Sequence, residues 1–81
     1  MSQVIEAPPD VAVLTPTARY AQERRHLFPS DESIRWFLRQ HKPELVEAGA
    51  LLMVAGRWMA DPSRFDAKVI EIGRRLAQRA A

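Results

Sequence analysis

Residues 30–60 read SDESIRWFLRQHKPELVEAGALLMVAGRWMA, and the folding of the chain turns on this stretch. Ser30 is a helix N-cap, because its hydroxyl can accept from a backbone N–H that the first turn leaves unpaired. Asp31 and Glu32 follow where the helix dipole favours negative charge. Ile34, Phe37, Leu38 and His41 are spaced i, i+3, i+4 and i+7, the buried stripe of a helix over 31–41. Pro43 suits the first position of a second, short helix over 43–48, with Glu44 and Glu47 on it and Leu45 and Val46 toward the core. Gly49 then serves as its left-handed C-cap. The segments ALLMV and RWMA read as the two strands of a hairpin over 50–60, with Gly56 supplying the positive φ of the turn. Alanine is poor at a left-handed position, so the expected turn is a type I turn with a bulge at Gly56, not a two-residue type I′ turn. The rival reading makes LVEAGALLMVA one buried helix, against which Gly49 and Gly56 both stand.

Working outward, Thr15-Pro16 is a helix start, with Thr15 as N-cap and a helix expected over 16–25. Ala18 and Ala21, with Tyr20 beside them, form its small-residue face. His26-Leu27-Phe28-Pro29 ends it, since a residue before proline is pushed out of helical geometry. On the other side, Asp61-Pro62 repeats the cap-and-proline signal for a helix over 62–78. Phe65, Val69, Ile72 and Leu76 are its stripe, and Glu71 with Arg75 is a favourable i, i+4 pair. Residues 1–14 contain Pro8-Pro9 and no helical or alternating period, and read as a flexible N-terminal arm ahead of a single domain over 15–81.

At 81 residues the core is modest, so either packing is efficient or a partner subunit adds buried area. With no cysteines, disulfides, thiolate metal sites and a cysteine nucleophile are excluded together. Neither an export signal nor an apolar run of membrane-spanning length is present, which makes a cytoplasmic protein the expectation. The formal charge is only +2, but residues 17–42 and 62–81 each carry +3, while 1–16 and 43–61 each carry −2. Positive charge concentrated in two helical segments suits a polyanion, or else two solvated helix faces.

No catalytic constellation is legible. His26 and His41 have no partner motif, and there is no phosphate-binding glycine loop and no nucleophile elbow. The paired carboxylates Asp31-Glu32 and Glu44/Glu47 sit in expected first turns, where acidic residues have a structural reason to be. An enzyme is therefore not expected, nor a cofactor, a metal or a small-molecule substrate. The face of the 31–41 helix opposite its stripe carries Glu32, Ser33, Arg35, Trp36, Arg39 and Gln40, groups suited to phosphate or base-edge contact. Trp36 is alternatively a cover for a neighbouring element such as the hairpin.

The run Thr17–Phe65 resembles the small winged helix-turn-helix proteins of mobile elements, the excisionase and AlpA-type group related to MerR DNA-binding domains. The likeness rests on Ala21–His26, on Phe28-Pro29-Ser30 leading into SIRWFL, on LVEAGALL, and on AGRWMADPSRF. It implies a mainly α fold with a small β-hairpin wing, and double-stranded DNA as partner. In such proteins the helix corresponding to 30–41 enters the major groove and the hairpin touches the adjacent backbone. On that resemblance Ser33, Arg35, Arg39 and Gln40 face DNA and Arg57 is the wing contact. The full set of candidate DNA-binding residues is Ser30, Ser33, Arg35, Trp36, Arg39, Gln40, Lys42 and Arg57. So few cations per subunit imply a homodimer or cooperative oligomer on DNA. The implied role is a recombination directionality factor or transcriptional regulator of a phage, plasmid or integrative element. Two competitors remain: a protein-interaction module displaying Trp36, Trp58, Met53 and Met59, and a wholly helical dimerisation module built on the last helix.

Overall fold

The structure, a computed structural model, describes residues 10–81. Three helices, α1 (Thr17–Gln22), α2 (Asp31–Glu47) and α3 (Pro62–Ala80), surround an antiparallel sheet of β1 (Thr15–Pro16), β2 (Leu51–Val54) and β3 (Arg57–Ala60), in the order β1-β3-β2. The chain is mainly helical with a small three-stranded sheet, and the all-helical reading of 45–55 does not hold. No helix among the described residues is long and apolar enough to cross a membrane.

The arm expected over 1–14 lies outside the described residues for positions 1–9. Its last part is a single 3-10 turn, Val11–Val13, capped by the Asp10 carboxylate, which accepts from the Ala12 N–H at 2.9 Å. Thr15 and Pro16 are not a helix start. They pair with Ala60 and Met59 as the edge strand β1, a place that tolerates proline because its missing N–H leaves no ladder bond unmade. The Thr15 hydroxyl donates instead to the Val13 carbonyl at 3.1 Å. The first helix thus begins at Thr17 and ends at Gln22, short of the expected 25, and turns lead on to Leu27. Tyr20 and Ala21 enter the core, whereas Ala18 is exposed.

The two helices expected over 31–41 and 43–48 are one. Ser30 caps α2 as anticipated: its hydroxyl accepts from the Ser33 N–H, and the Ser33 hydroxyl accepts from the Ser30 N–H, closing a capping box. Pro43 then lies inside the helix, where a lost backbone bond and a ring clash cost about 3 kcal/mol. Contacts just beyond the proline offset that cost. Leu45 is fully buried, and Glu44 is gripped by Arg75 at 2.8 and 2.9 Å and by Lys68 at 2.8 Å. Gly49 ends α2 at φ 75°, with its N–H donating to the Val46 carbonyl and that of Ala50 to Leu45, the two bonds of a Schellman motif. Val46, expected toward the core, is exposed.

Glu44 carries the clearest electrostatic consequence in the fold. The Arg75 and then the Lys68 hydrogen bonds pull its carboxyl from the ordinary 4.5 down to about 2. A depressed folded-state pKa stabilises the native state above the unfolded value, and that stability disappears as pH falls through the folded one. Folding stability should therefore fall between pH 4.5 and about 2, and Glu44→Gln should flatten that part of the profile. Urea melts of the two proteins at stepped acid pH would show parallel losses if the ion pairs contribute nothing. The expected Glu71–Arg75 pair does not form, because Arg75 turns to Glu44 and Glu71 pairs with Lys68 at 3.1 Å.

The hairpin pairs Val54 with Arg57, leaving a two-residue loop in which Ala55 (φ 52°) and Gly56 (φ 77°) are both left-handed. This is the I′ geometry and not the bulged turn expected, because only the primed turn matches the twist of strands joined so tightly. The mismatch falls on Ala55, where a left-handed L-residue costs roughly 1–2 kcal/mol. Ala55→Gly should raise stability by about 0.5–1 kcal/mol, read as a higher urea midpoint at unchanged m-value.

The last helix starts as expected at Asp61-Pro62, with Asp61 accepting from the Arg64 N–H, and runs to Ala80. Phe65 and Ile72 of its stripe are buried and Val69 is half-buried, but Leu76 is exposed. The core joins Tyr20, Phe28, Ile34, Leu45, Leu51 and Phe65, with Phe37, Leu38 and Trp58 packed against it. A polar tie locks α1 to α3. The Tyr20 hydroxyl donates to Asp66 at 2.6 Å, and Arg24 grips the same carboxylate with Nε at 2.7 Å and Nη2 at 3.1 Å. The Arg24 hydrogen bonds hold Asp66 below its usual pKa, while burial and then the Asp66 bond push the Tyr20 hydroxyl up.

Candidate functional site

The stripe that turns Ile34, Phe37, Leu38 and Leu45 inward sets where the basic residues of α2 stand. Successive residues on a helix are 100° apart, so Arg35, Arg39 and Lys42 fall along one flank at i, i+4 and i+7. That flank faces the sheet. Arg35, Leu38, Arg39, Lys42 and Pro43 form one wall of a cleft of about 570 Å³, with Thr17 of α1 at its side. Leu51 of β2 and Trp58 of β3 form the other wall. The cleft is open to solvent, its floor is apolar, its rim carries three cations, and no carboxylate among the described residues lines it.

The three cations are held differently. Arg35 reaches back to Glu32 at 2.9 Å, an i, i+3 pair between two exposed side chains, which raises the arginine pKa mainly through that hydrogen bond. Such exposed pairs are screened by solvent and weak, so Arg35 is readily released. Lys42 places its ammonium over the Trp58 ring, 5.0 Å from the centroid. Arg39 enters no ion pair among the described residues.

Of the eight residues read as candidates, the structure gathers Arg35, Arg39 and Lys42 in the cleft. Ser30 and Ser33 spend their hydroxyls on the capping box, and the Ser33 hydroxyl also donates to the Ser30 carbonyl at 2.6 Å. Gln40 is exposed outside the cleft. Trp36 does not cover the hairpin; it is 58% exposed and does not line the cleft. The indole against α2 is Trp58, which the competing protein-interaction reading places in an exposed patch with Trp36, Met53 and Met59. Strand alternation explains the difference. Trp58 and Ala60 share one face of the hairpin with Leu51 and Met53, while Arg57 and Met59 share the other. Arg57 is accordingly exposed at the tip and is not brought into the cleft. Thr17 and Trp58 are the lining residues that sequence reasoning misses as site residues. The sequence signal for Trp58 is its placement two residues before the buried Ala60 in a strand.

The arrangement can neutralise two or three anionic oxygens at the rim while offering an aromatic face below them. Among the described residues no group of three or more His, Cys, Asp or Glu is placed to hold a metal ion. Comparison with protein families, with curated proteins and with solved structures finds no match to this chain.

Proposed function

We propose that this chain is a small winged helix-turn-helix DNA-binding protein, with α2 as the groove-facing helix and the β2–β3 hairpin as the wing. The role in best accord with that reading is an excisionase-like recombination directionality factor or a transcriptional regulator. The observation that carries it is the cation-rimmed, carboxylate-free cleft between α2 and the hairpin, on the flank where Arg35, Arg39 and Lys42 align. Phosphate contacts from these cations position a duplex, and the exposed polar residues of α2 are left to read its base edges.

A fluorescence anisotropy titration with a random-sequence duplex at low and at moderate salt tests the reading. Three to four phosphate contacts per subunit predict a log–log salt slope of about −2.7 to −3.6 for a monomer, steeper for a dimer. A folded protein that binds no duplex at low salt would overturn the proposal. That outcome would favour a protein-interaction module, the reading which the 58% exposure of Trp36 supports.

A further inference from the structure

Duplex contact leaves part of the cleft unexplained. A duplex backbone presents phosphates and sugars to the protein, with the base faces stacked inside. It can satisfy the cationic rim but leaves the apolar side of the cleft, where Leu38, Pro43 and the half-buried Trp58 lie, without a partner. A volume of about 570 Å³ falls within the roughly 300–1,000 Å³ range of small-ligand sites, and it is far too small to admit a duplex. The ligand chemistry that fits both layers is an aromatic ring joined to a phosphate, a single nucleotide unit.

We infer that the cleft between α2 and the hairpin takes an unpaired nucleotide of a DNA strand, its base against Trp58 and its phosphate between Arg39 and Lys42. Resting on the proposed DNA-binding role, this makes the protein a reader of unstacked or extrahelical bases as well as of duplex backbone. Three features support it. Trp58 belongs to a paired strand, so the stacking platform is held in place before ligand arrives. Lys42 already occupies a cation position over the ring, 5.0 Å from its centroid, which a phosphate can draw off as the base slides in. The cleft is open at the surface, as a strand continuing on both sides of one inserted nucleotide requires. Arg35, tied to Glu32 at 2.9 Å, stands at the rim as a second phosphate contact for the neighbouring linkage.

Three labelled DNAs of one length test the inference with the full chain: a fully paired duplex, the same duplex carrying one extrahelical thymidine, and the single strand. Anisotropy reports affinity, and intrinsic tryptophan fluorescence reports stacking. The bulged duplex and the single strand are expected to bind several-fold tighter than the paired duplex and to quench tryptophan emission. Trp58→Leu should lose roughly tenfold in affinity for those two DNAs, so that their preference over the paired duplex disappears together with most of the quench. Trp58→Phe should recover most of the affinity, and far-ultraviolet circular dichroism of both variants checks that they fold. Equal binding of all three DNAs with no quench would overturn the inference and leave the DNA-binding reading intact. Absence of binding to any of them would overturn both. Tighter binding that survives Trp58→Leu would place the unpaired base elsewhere and also overturn it.

Discussion

Replacing Phe65 with alanine is expected to cost about 3–5 kcal/mol and to lower the urea midpoint more than truncation of Phe37 or Ile70 does. Phe65 is fully buried at the first turn of α3. Its ring lies 4.4 Å from that of Tyr20 and 6.1 Å from that of Phe37, so it is the point where α1, α2 and α3 meet. A domain of 81 residues has roughly 4–12 kcal/mol to lose, at about 0.05–0.15 kcal/mol per residue. The truncation therefore removes from about a quarter of it to all of it. Neighbours cannot collapse onto the space, because Tyr20 is pinned through its hydroxyl to Asp66, one residue along the same helix. Phe37 is half-buried at the core edge, against Phe28 and His41 at 5.4 and 4.8 Å, and Phe37→Ala should cost less. Ile70→Ala, on α3 but 56% exposed, should change stability by no more than about 0.5 kcal/mol. Urea melts followed by circular dichroism rank the three. A Phe65→Ala protein as stable as Ile70→Ala would mean that the aromatic cluster is not what joins the helices.

The same residues show which parts of the fold a sequence can disclose. Ser30, Gly49 and Asp61-Pro62 are local signals whose energies are spent within one turn, and each marks a boundary of the folded chain. Pro43 misleads because its local cost is real, yet contacts from Glu44 to Lys68 and Arg75, 24 and 31 residues away, override it. No periodicity can carry that information. Thr15-Pro16 misleads for the opposite reason. The dipeptide is a good helix opening taken alone, and its recruitment as an edge strand depends on β3 lying alongside. At the site, the spacing of Arg35, Arg39 and Lys42 is enough to put them on one flank. That the flank borders the hairpin follows from α2 continuing through Pro43, and the half-burial of Trp58 follows from hairpin register. Both are tertiary facts, which is why the cleft is not legible in the sequence while its cations are.

Substituting Arg35, Arg39 and Lys42 together by alanine is expected to reduce affinity for a random-sequence duplex by about 500-fold at about 0.1 M salt. Each phosphate contact releases counterions worth about 0.9 in the log–log salt slope, so removing three lowers the slope by about 2.7. Measured down from about 1 M salt, where counterion release contributes nothing, affinity at about 0.1 M falls by that many decades. The fold should survive, because none of the three side chains is part of the core. The ion pair that disappears within α2, Arg35 with Glu32, is an exposed i, i+3 pair that contributes little to stability. Slope and affinity must change together. A large drop in affinity at unchanged slope would mean that the alanines disturbed shape and did not remove phosphate contacts. Arg57 stands on the other face of the hairpin and supplies the control. If the tip touches the backbone, Arg57→Ala alone lowers the slope by about 0.9; if it does not, the slope holds. A triple variant that binds with the wild-type slope while Arg57→Ala lowers it would move the duplex from the α2 flank to the hairpin tip, and the cleft would no longer be the centre of the interface.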